Sequence, residues 1–176
     1  MSRHRWMAVA VAQVMAVVAG NAQAHEAHVH GVGRLDVVVD GNQLTLTLDS
    51  PLANVLGFEH PPHTDAEKKA VAAAEARLRQ AASLFAPTSE AQCAATSASI
   101  ESPLADWKNG IVRQTSAHAD LEAEYVFTCS QPGRLRGVSV LLFGQFKGFS
   151  QIDTQWVAPS GQGGAKLTPK DSTLRW

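Results

Sequence analysis

The 176-residue sequence lacks the features that define several common classes of protein. It has only two cysteines, and neither lies directly after the N-terminal apolar run, where a lipid anchor would be attached. After that run no second apolar segment approaches the ~20 residues needed to cross a membrane. No basic patch marks a nucleic-acid partner, and the glycine-rich stretch 161–164 matches no phosphate-binding or dinucleotide-binding fingerprint. These absences argue against lipoproteins, integral membrane proteins and nucleotide-binding or nucleic-acid-binding proteins.

Residues 1–24 have the layout of a secretory signal peptide. Arg3 and Arg5 form a basic region, an apolar run follows, and the small-x-small triplet AQA ends at Ala24. The run contains Gln13 and is short for a membrane anchor. We therefore predict export, cleavage after Ala24 and a mature chain that is not inserted in a membrane.

The mature chain, residues 25–176, has the size of one domain with its own core. Removing 24 of the 176 residues leaves 152. Two of the 15 basic side chains are lost with the leader, so 13 basic and 16 acidic side chains remain, for a formal charge near −3.

Cys93 and Cys129 both lie in the exported part. In an oxidising compartment such a pair usually forms a disulfide, which would contribute about 3–4 kcal/mol through the loop it closes. The alternative is a pair of thiolate metal ligands, but the spacing is unlike CxxC.

The hydrophobic pattern predicts an α+β fold. "RLDVVVD" and "QLTLTLDS" alternate around the turn residues Asp40-Gly41-Asn42, which indicates a β-hairpin. "DLEAEYVFTCS" alternates as a third strand. Thr64 and Glu67 form a capping-box signature that opens a helix over about 64–83. We expect a single domain, mainly antiparallel β-sheet or sandwich of about seven strands, with this one main helix packed on it.

The histidines are unevenly placed, and the first cluster is "HEAHVH" at 25–30. In an extended segment His28 and His30 point to the same side and can share one metal ion. After the predicted cleavage His25 would also offer its α-amine beside its imidazole, a chelate for copper or zinc. The alternative is a solvated N-terminus without a role in binding.

The second cluster, "EHPPH", holds Glu59, His60 and His63 just before the predicted helix. Its two prolines restrict the backbone, which lowers the entropy lost when a metal orders the loop. The third cluster is His118 with Asp120, two apart on one face of a predicted strand. Asp120 is either a ligand or an acceptor that orients the imidazole. Solvated loop and strand residues are the alternative for both clusters.

Outside the leader every histidine belongs to one of these three clusters. Three or four imidazoles with a carboxylate suit Zn²⁺ best and Cu²⁺ next. The predicted ligands are therefore His25, His28, His30, Glu59, His60, His63, His118 and Asp120.

The chain resembles the ZrgA-like proteins over essentially its whole mature length. The resemblance rests on "HVHGVGRLDVVVDGNQLTLTLDSPLANVLGFEHPP", a helix of the "EKKAVAAAEARL" type, "ESPL", "HADLEAEYVFTC" and "KLTPKDSTLRW" in that order. It implies a periplasmic protein of Gram-negative bacteria that binds zinc and assists high-affinity uptake beside an ABC-type importer or its periplasmic binding protein.

The residues that match the family pattern are His28, His30, Glu59, His60, and His118 with Asp120. Many members carry a long His/Asp/Glu-rich tract, whereas this chain keeps only "HEAHVH". The difference favours one structured site over a multi-ion store. We expect a monomer that is not an enzyme.

Three other functions stay open at this stage. A copper-handling protein would use the amine and imidazole of His25. A zinc hydrolase would need a carboxylate beside bound water, for which Glu59 is the candidate. However, "EHPPH" is not the helical HExxH motif, because its prolines forbid that helix. The last is a structural domain with incidental histidines.

Overall fold

The computed structural model of the chain describes residues 29–111 and 119–176. The predicted signal peptide and three predicted ligands, His25, His28 and His118, lie outside the described residues. Within the described ranges, no helix combines the length and apolar character required to cross a membrane.

The described residues form nine strands and five helices. In chain order these are β1 Val32–Asp40, β2 Gln43–Pro51, α1 Ala53–Leu56, α2 Asp65–Leu78, α3 Ala81–Leu84, β3 Phe85–Pro87, β4 Cys93–Glu101, α4 Leu104–Lys108, β5 Asp120–Cys129, β6 Gly137–Val140, α5 Leu142–Gln145, β7 Gln151–Ala158, β8 Gly161–Leu167 and β9 Thr173–Arg175.

The strands form two sheets, and the predicted α+β single domain is confirmed. The main sheet has six strands in the order β4-β5-β2-β1-β7-β8, and the second has three in the order β3-β6-β9. β1 and β7 run parallel, and the other pairs are antiparallel. The described residues form nine strands where about seven were expected, and two of them, β3 and β9, have only three residues each.

The strand patterns bury the faces that their alternation predicts. β1 and β2 form the expected hairpin, with Asp40 paired to Gln43 and Gly41 at φ +57° in the turn. β5 buries alternate residues and leaves its acidic residues exposed. The residues of β5 that enter the core are Leu121, Ala123, Tyr125, Phe127 and Cys129. The main sheet therefore has one face on the core and one face in solvent.

The predicted helix 64–83 is wrong at its C-terminal end. The capping box of Thr64 and Glu67 is present, but α2 stops at Leu78. Gln80 leaves the helical conformation, with φ −96° and ψ 68°, and a separate turn, α3, follows. This break turns the chain so that Phe85 is buried as the first residue of β3. Pro87 is the last residue of that strand.

The two ends of the main sheet are built differently. We call the closed end the one where the β1–β2 and β7–β8 hairpins turn and where Cys93 is bonded to Cys129. The predicted disulfide is thereby confirmed, and it joins residues paired directly across β4 and β5. We call the open end the one where β1, β5 and β7 begin and β2 ends.

Candidate metal site

The described members of the three predicted ligand clusters lie at the open end. His30 precedes β1, the loop with Glu59 follows β2 and α1, and Asp120 is the first residue of β5. Asp120 is paired with Pro51, the last residue of β2. The Leu52 N–H also donates to the Ala119 carbonyl at 2.9 Å. The start of β5 is therefore fixed against the end of β2.

His30 and Glu59 are in direct contact. His30 Nε2 lies 3.1 Å from Glu59 Oε1. The His30 side chain is 67% exposed, whereas that of Glu59 is 13% exposed. A largely buried carboxylate thus holds an imidazole at the surface, where an ion from solvent can reach it.

The aromatic and imidazole rings in the loop after α1 are stacked on one another. Gly57 ends α1 in the left-handed region at φ +85°, which turns the chain out of the helix. Phe58 stacks on His60 with ring centroids 4.9 Å apart, and His60 stacks on His63 at 5.0 Å with 17° between the planes. The nitrogen lone pairs lie in the ring planes. Two nearly parallel rings this far apart therefore cannot both bind one ion without a rotation of one ring.

His60 is held in a defined tautomer when neutral. Its Nδ1 lies 2.9 Å from the Pro61 carbonyl oxygen, and a carbonyl only accepts, so Nδ1 carries the proton. The lone pair of the neutral ring is then on Nε2. A backbone partner of this kind is common for histidines that bind metals.

His63 is tied to the start of α2 through its backbone. The N–H groups of Thr64 and His63 both donate to Glu67 Oε2, at 2.9 and 2.7 Å. These donors, that of Thr64 first, hold the pKa of Glu67 below its ordinary value. The carboxylate of Glu67 therefore serves the helix terminus.

Asp120 begins an acidic strip on the solvent face of the sheet. Glu122 and Glu124 follow it on β5 and, with Ser99 and Glu101 of β4, line a shallow surface groove. Within residues 29–111 and 119–176, no three His, Cys, Asp or Glu side chains are grouped closely enough to hold a metal ion. Of the predicted ligands, the structure thus joins His30 and Glu59 directly and places Asp120 at the same end of the sheet.

Sequence reasoning missed Asn54, which lies between the clusters. It lies in α1 and is 2% exposed. Its side chain is hydrogen-bonded to the Gly31 N–H, to the Val32 carbonyl and to Ser50 Oγ. The available signal was one amide residue within the otherwise apolar stretch "PLANVLGF". A buried polar side chain in such a stretch must find hydrogen-bond partners.

The His30–Glu59 pair has the spacing of two zinc ligands. Zinc binds imidazole nitrogen and carboxylate oxygen at about 2.0–2.2 Å with tetrahedral geometry, which places two such ligand atoms about 3.3 Å apart. The observed Nε2–Oε1 distance is 3.1 Å. This is also an ordinary hydrogen-bond distance, and for both atoms to bind one ion their lone pairs would have to turn from each other toward a common point.

Comparison with known proteins gives one family match. The family described as "ZrgA family zinc uptake protein" matches residues 27–176. A comparison with curated proteins finds no match.

Proposed function

Because this chain belongs to the ZrgA family of zinc uptake proteins, we propose that it is a periplasmic zinc-binding protein that assists zinc acquisition by an ABC-type importer. The proposed site is the open end of the main sheet, with His30 and Glu59 as the first two ligands. Asp120 and the imidazoles of His28, His60, His63 and His118 are the candidates for the others. Zinc is the cargo in this proposal, and no reaction is assigned to it.

The observation that carries the proposal is the contact between His30 Nε2 and Glu59 Oε1 at 3.1 Å. These residues come from different clusters, 29 positions apart, and the fold brings them into hydrogen-bond contact, at a separation close to that of two ligands on one zinc ion. The Glu59 side chain is only 13% exposed, and a carboxylate at this depth is usually paired.

Capture and release follow from proton competition. Zinc binds only to deprotonated donor atoms, so binding displaces the proton between His30 and Glu59. Lowering the pH from about 7.5 to about 5.5 protonates imidazoles and should weaken binding steeply. Release to an importer or its periplasmic binding protein is then favoured where donor atoms on the partner compete for the ion.

The test is a zinc titration of the mature chain against a competing chromophoric chelator at neutral pH. We expect one zinc ion per chain, and a loss of affinity of at least ten-fold in His30→Ala, because removing a ligand leaves zinc with an incomplete set. Glu59→Gln should weaken binding to a similar degree if Glu59 is a ligand. A Gln side chain would keep an acceptor for His30, so a small effect would make Glu59 an orienting group instead.

Glu90→Gln is the matched control, because Glu90 is an exposed carboxylate in the turn Ser89–Ala91, which precedes β4 at the closed end. The zinc affinity of Glu90→Gln should equal that of the unmodified chain.

Native mass spectrometry of protein exported to the periplasm would give the cleavage site, the disulfide and the bound ion in one spectrum. No bound zinc at a slight excess of the ion would contradict the proposal. Copper binding that is lost when one residue is added before His25 would favour the copper alternative.

A further inference from the structure

Asn54 connects the two chain segments that carry His30 and Glu59. It lies in α1, which ends at Gly57 just before Glu59, and its side chain reaches the start of β1 just after His30. Asn54 is 2% exposed and is itself not a candidate ligand.

Both polar atoms of the Asn54 amide are hydrogen-bonded. Oδ1 accepts from the Gly31 N–H at 2.6 Å, and Nδ2 donates to the Val32 carbonyl at 2.9 Å and to Ser50 Oγ at 3.0 Å. The orientation of the amide is fixed, since an N–H only donates and a carbonyl only accepts. Neither Asp nor Leu, although similar in size, can make these three bonds.

Gly31 is held from its other side as well. Its carbonyl accepts from Ser150 N at 2.8 Å, Gln151 N at 3.0 Å and Ser150 Oγ at 3.0 Å. Its φ is +88°, and a Cβ atom there would lie 2.7 Å from Ser150 Oγ. The peptide groups that follow His30 are thus clamped between α1 and the start of β7.

We propose that Asn54 is a positioning residue that sets the distance between the His30 imidazole and the Glu59 carboxylate. This inference rests on the proposed function, because positioning matters for binding only if these two side chains hold the ion. Without the Asn54 amide, the segment before β1 keeps its hydrogen bonds to the start of β7 but loses those to α1, and zinc must then order it relative to α1 on binding. Groups that orient metal ligands without touching the metal typically change affinity by about 10- to 100-fold.

The test measures zinc affinity of Asn54→Ala by chelator competition, alone and combined with His30→Ala. We expect Asn54→Ala alone to weaken binding about ten-fold or more. In the His30→Ala background it should weaken binding no further, because the two residues act through the same contact. Amide hydrogen exchange should also show lost protection at Gly31.

Thr154→Val is the matched control. Thr154 is 4% exposed in β7 and donates one buried hydrogen bond to the Ala165 carbonyl at 2.8 Å, in the same sheet but away from Gly31. This variant also loses a buried hydrogen bond, so its zinc affinity should stay within about two-fold.

The outcomes separate the two proposals. If His30→Ala binds zinc as tightly as the unmodified chain, the proposed function and this inference both fail. If His30→Ala weakens binding but Asn54→Ala does not, or if the two effects simply add, only this inference fails. Should Asn54→Ala not fold, Asn54→Asp decides. Its carboxylate keeps an acceptor for the Gly31 N–H but has no N–H for the Val32 carbonyl or Ser50 Oγ, and we expect about ten-fold weaker binding. An unchanged affinity there would overturn the inference.

Discussion

The closed and open ends of the main sheet are stabilised by different kinds of bond. At the closed end, two hairpins and the Cys93–Cys129 disulfide join neighbouring strands through short or covalent connections. At the open end, the connections are loops and hydrogen bonds, among them those of the buried Asn54 amide. The candidate ligands that the structure describes all lie at or near this second end.

The contrast indicates that the closed end mainly stabilises the fold, whereas the open end mainly sets the geometry of the candidate ligands. Covalent cross-linking restricts the unfolded chain and stabilises the fold without specifying side-chain geometry at a distance. Hydrogen bonds to the backbone specify local geometry but contribute less to stability each. A protein that must both bind and release an ion benefits from placing its ligands away from the rigid end. The division predicts that stability and zinc affinity can be changed separately.

Removing the disulfide should have the largest effect on stability and none on binding. The double variant Cys93→Ala/Cys129→Ala opens a loop with a sequence separation of 36 residues. We expect the free energy of unfolding to fall by about 3–4 kcal/mol, as measured by urea denaturation. Zinc affinity should be unchanged, because the disulfide lies at the closed end.

The chemically reduced unmodified chain is the control for this variant and should lose a similar amount of stability. Buried Cys129 also loses packing when it becomes Ala, so the variant should be slightly the less stable of the two. A ten-fold fall in zinc affinity on reduction would show that the two ends are coupled.

Gly148→Ala should reduce stability and zinc affinity together. A Cβ atom at Gly148 would overlap the backbone carbonyl oxygen of Asn54 and lie 2.6 Å from its Cα atom. The forced shift of α1 should cost about 1–3 kcal/mol and should disturb the amide that holds Gly31. Gly144→Ala is the matched control, since a Cβ atom there meets nothing within 4 Å. Equal affinities for the two variants would contradict the role given to the packing around Asn54.

Much of the sheet could be predicted from the sequence, because one face is buried and the other is in solvent. Alternation in β1, β2 and β5 gave their spans and their buried faces, and the turn residues gave the hairpin. The exact extent of the main helix could not be predicted. Gln80 and its neighbours are good helix formers, and only the burial of Phe85 in β3 explains the break.

The clusters of candidate ligands could be predicted from the sequence, but the contacts between residues of different clusters could not. Sequence spacing indicated Glu59 and His30 as candidates separately. Their contact depends on the pairing of β1 with β2 and on the path of α1, which are long-range features. The stacking of His60 on His63 could not be predicted either, since it depends on the conformation of Pro61 and Pro62, which lie between the two histidines. Asn54 was missed because its role depends entirely on backbone groups distant in the sequence.

Lys108→Met should have the smallest effect on stability. It tests whether the packing of α2 against α4 influences zinc affinity. Lys108 of α4 contacts Glu75 of α2 through Nζ and Oε2 at 2.7 Å, and Arg79 reaches the other oxygen at 3.2 Å. Lys108 is half exposed, so its loss should cost about 1 kcal/mol after allowance for solvent screening. Zinc affinity should not change, because the pair holds α2 against α4 and does not touch Gly31. Lys69→Met, on an exposed position of α2, is the matched control.

The difference in stability between the unmodified chain and Lys108→Met should depend on pH, because it involves the ionised carboxylate of Glu75. Donation from Lys108, and then from Arg79, holds the pKa of Glu75 below its ordinary value of 4.5, although burial opposes the shift. A lowered pKa means that the unfolded chain binds the proton more tightly than the folded chain does. The stabilisation is therefore complete above pH 4.5 and is lost as the pH falls through the lower value of the folded state. The stability gap between the unmodified chain and Lys108→Met should accordingly narrow in acid, and urea denaturation at a series of pH values measures it. A gap that stays constant below pH 4.5 would show that Lys108 acts through packing of its aliphatic chain and not through its charge.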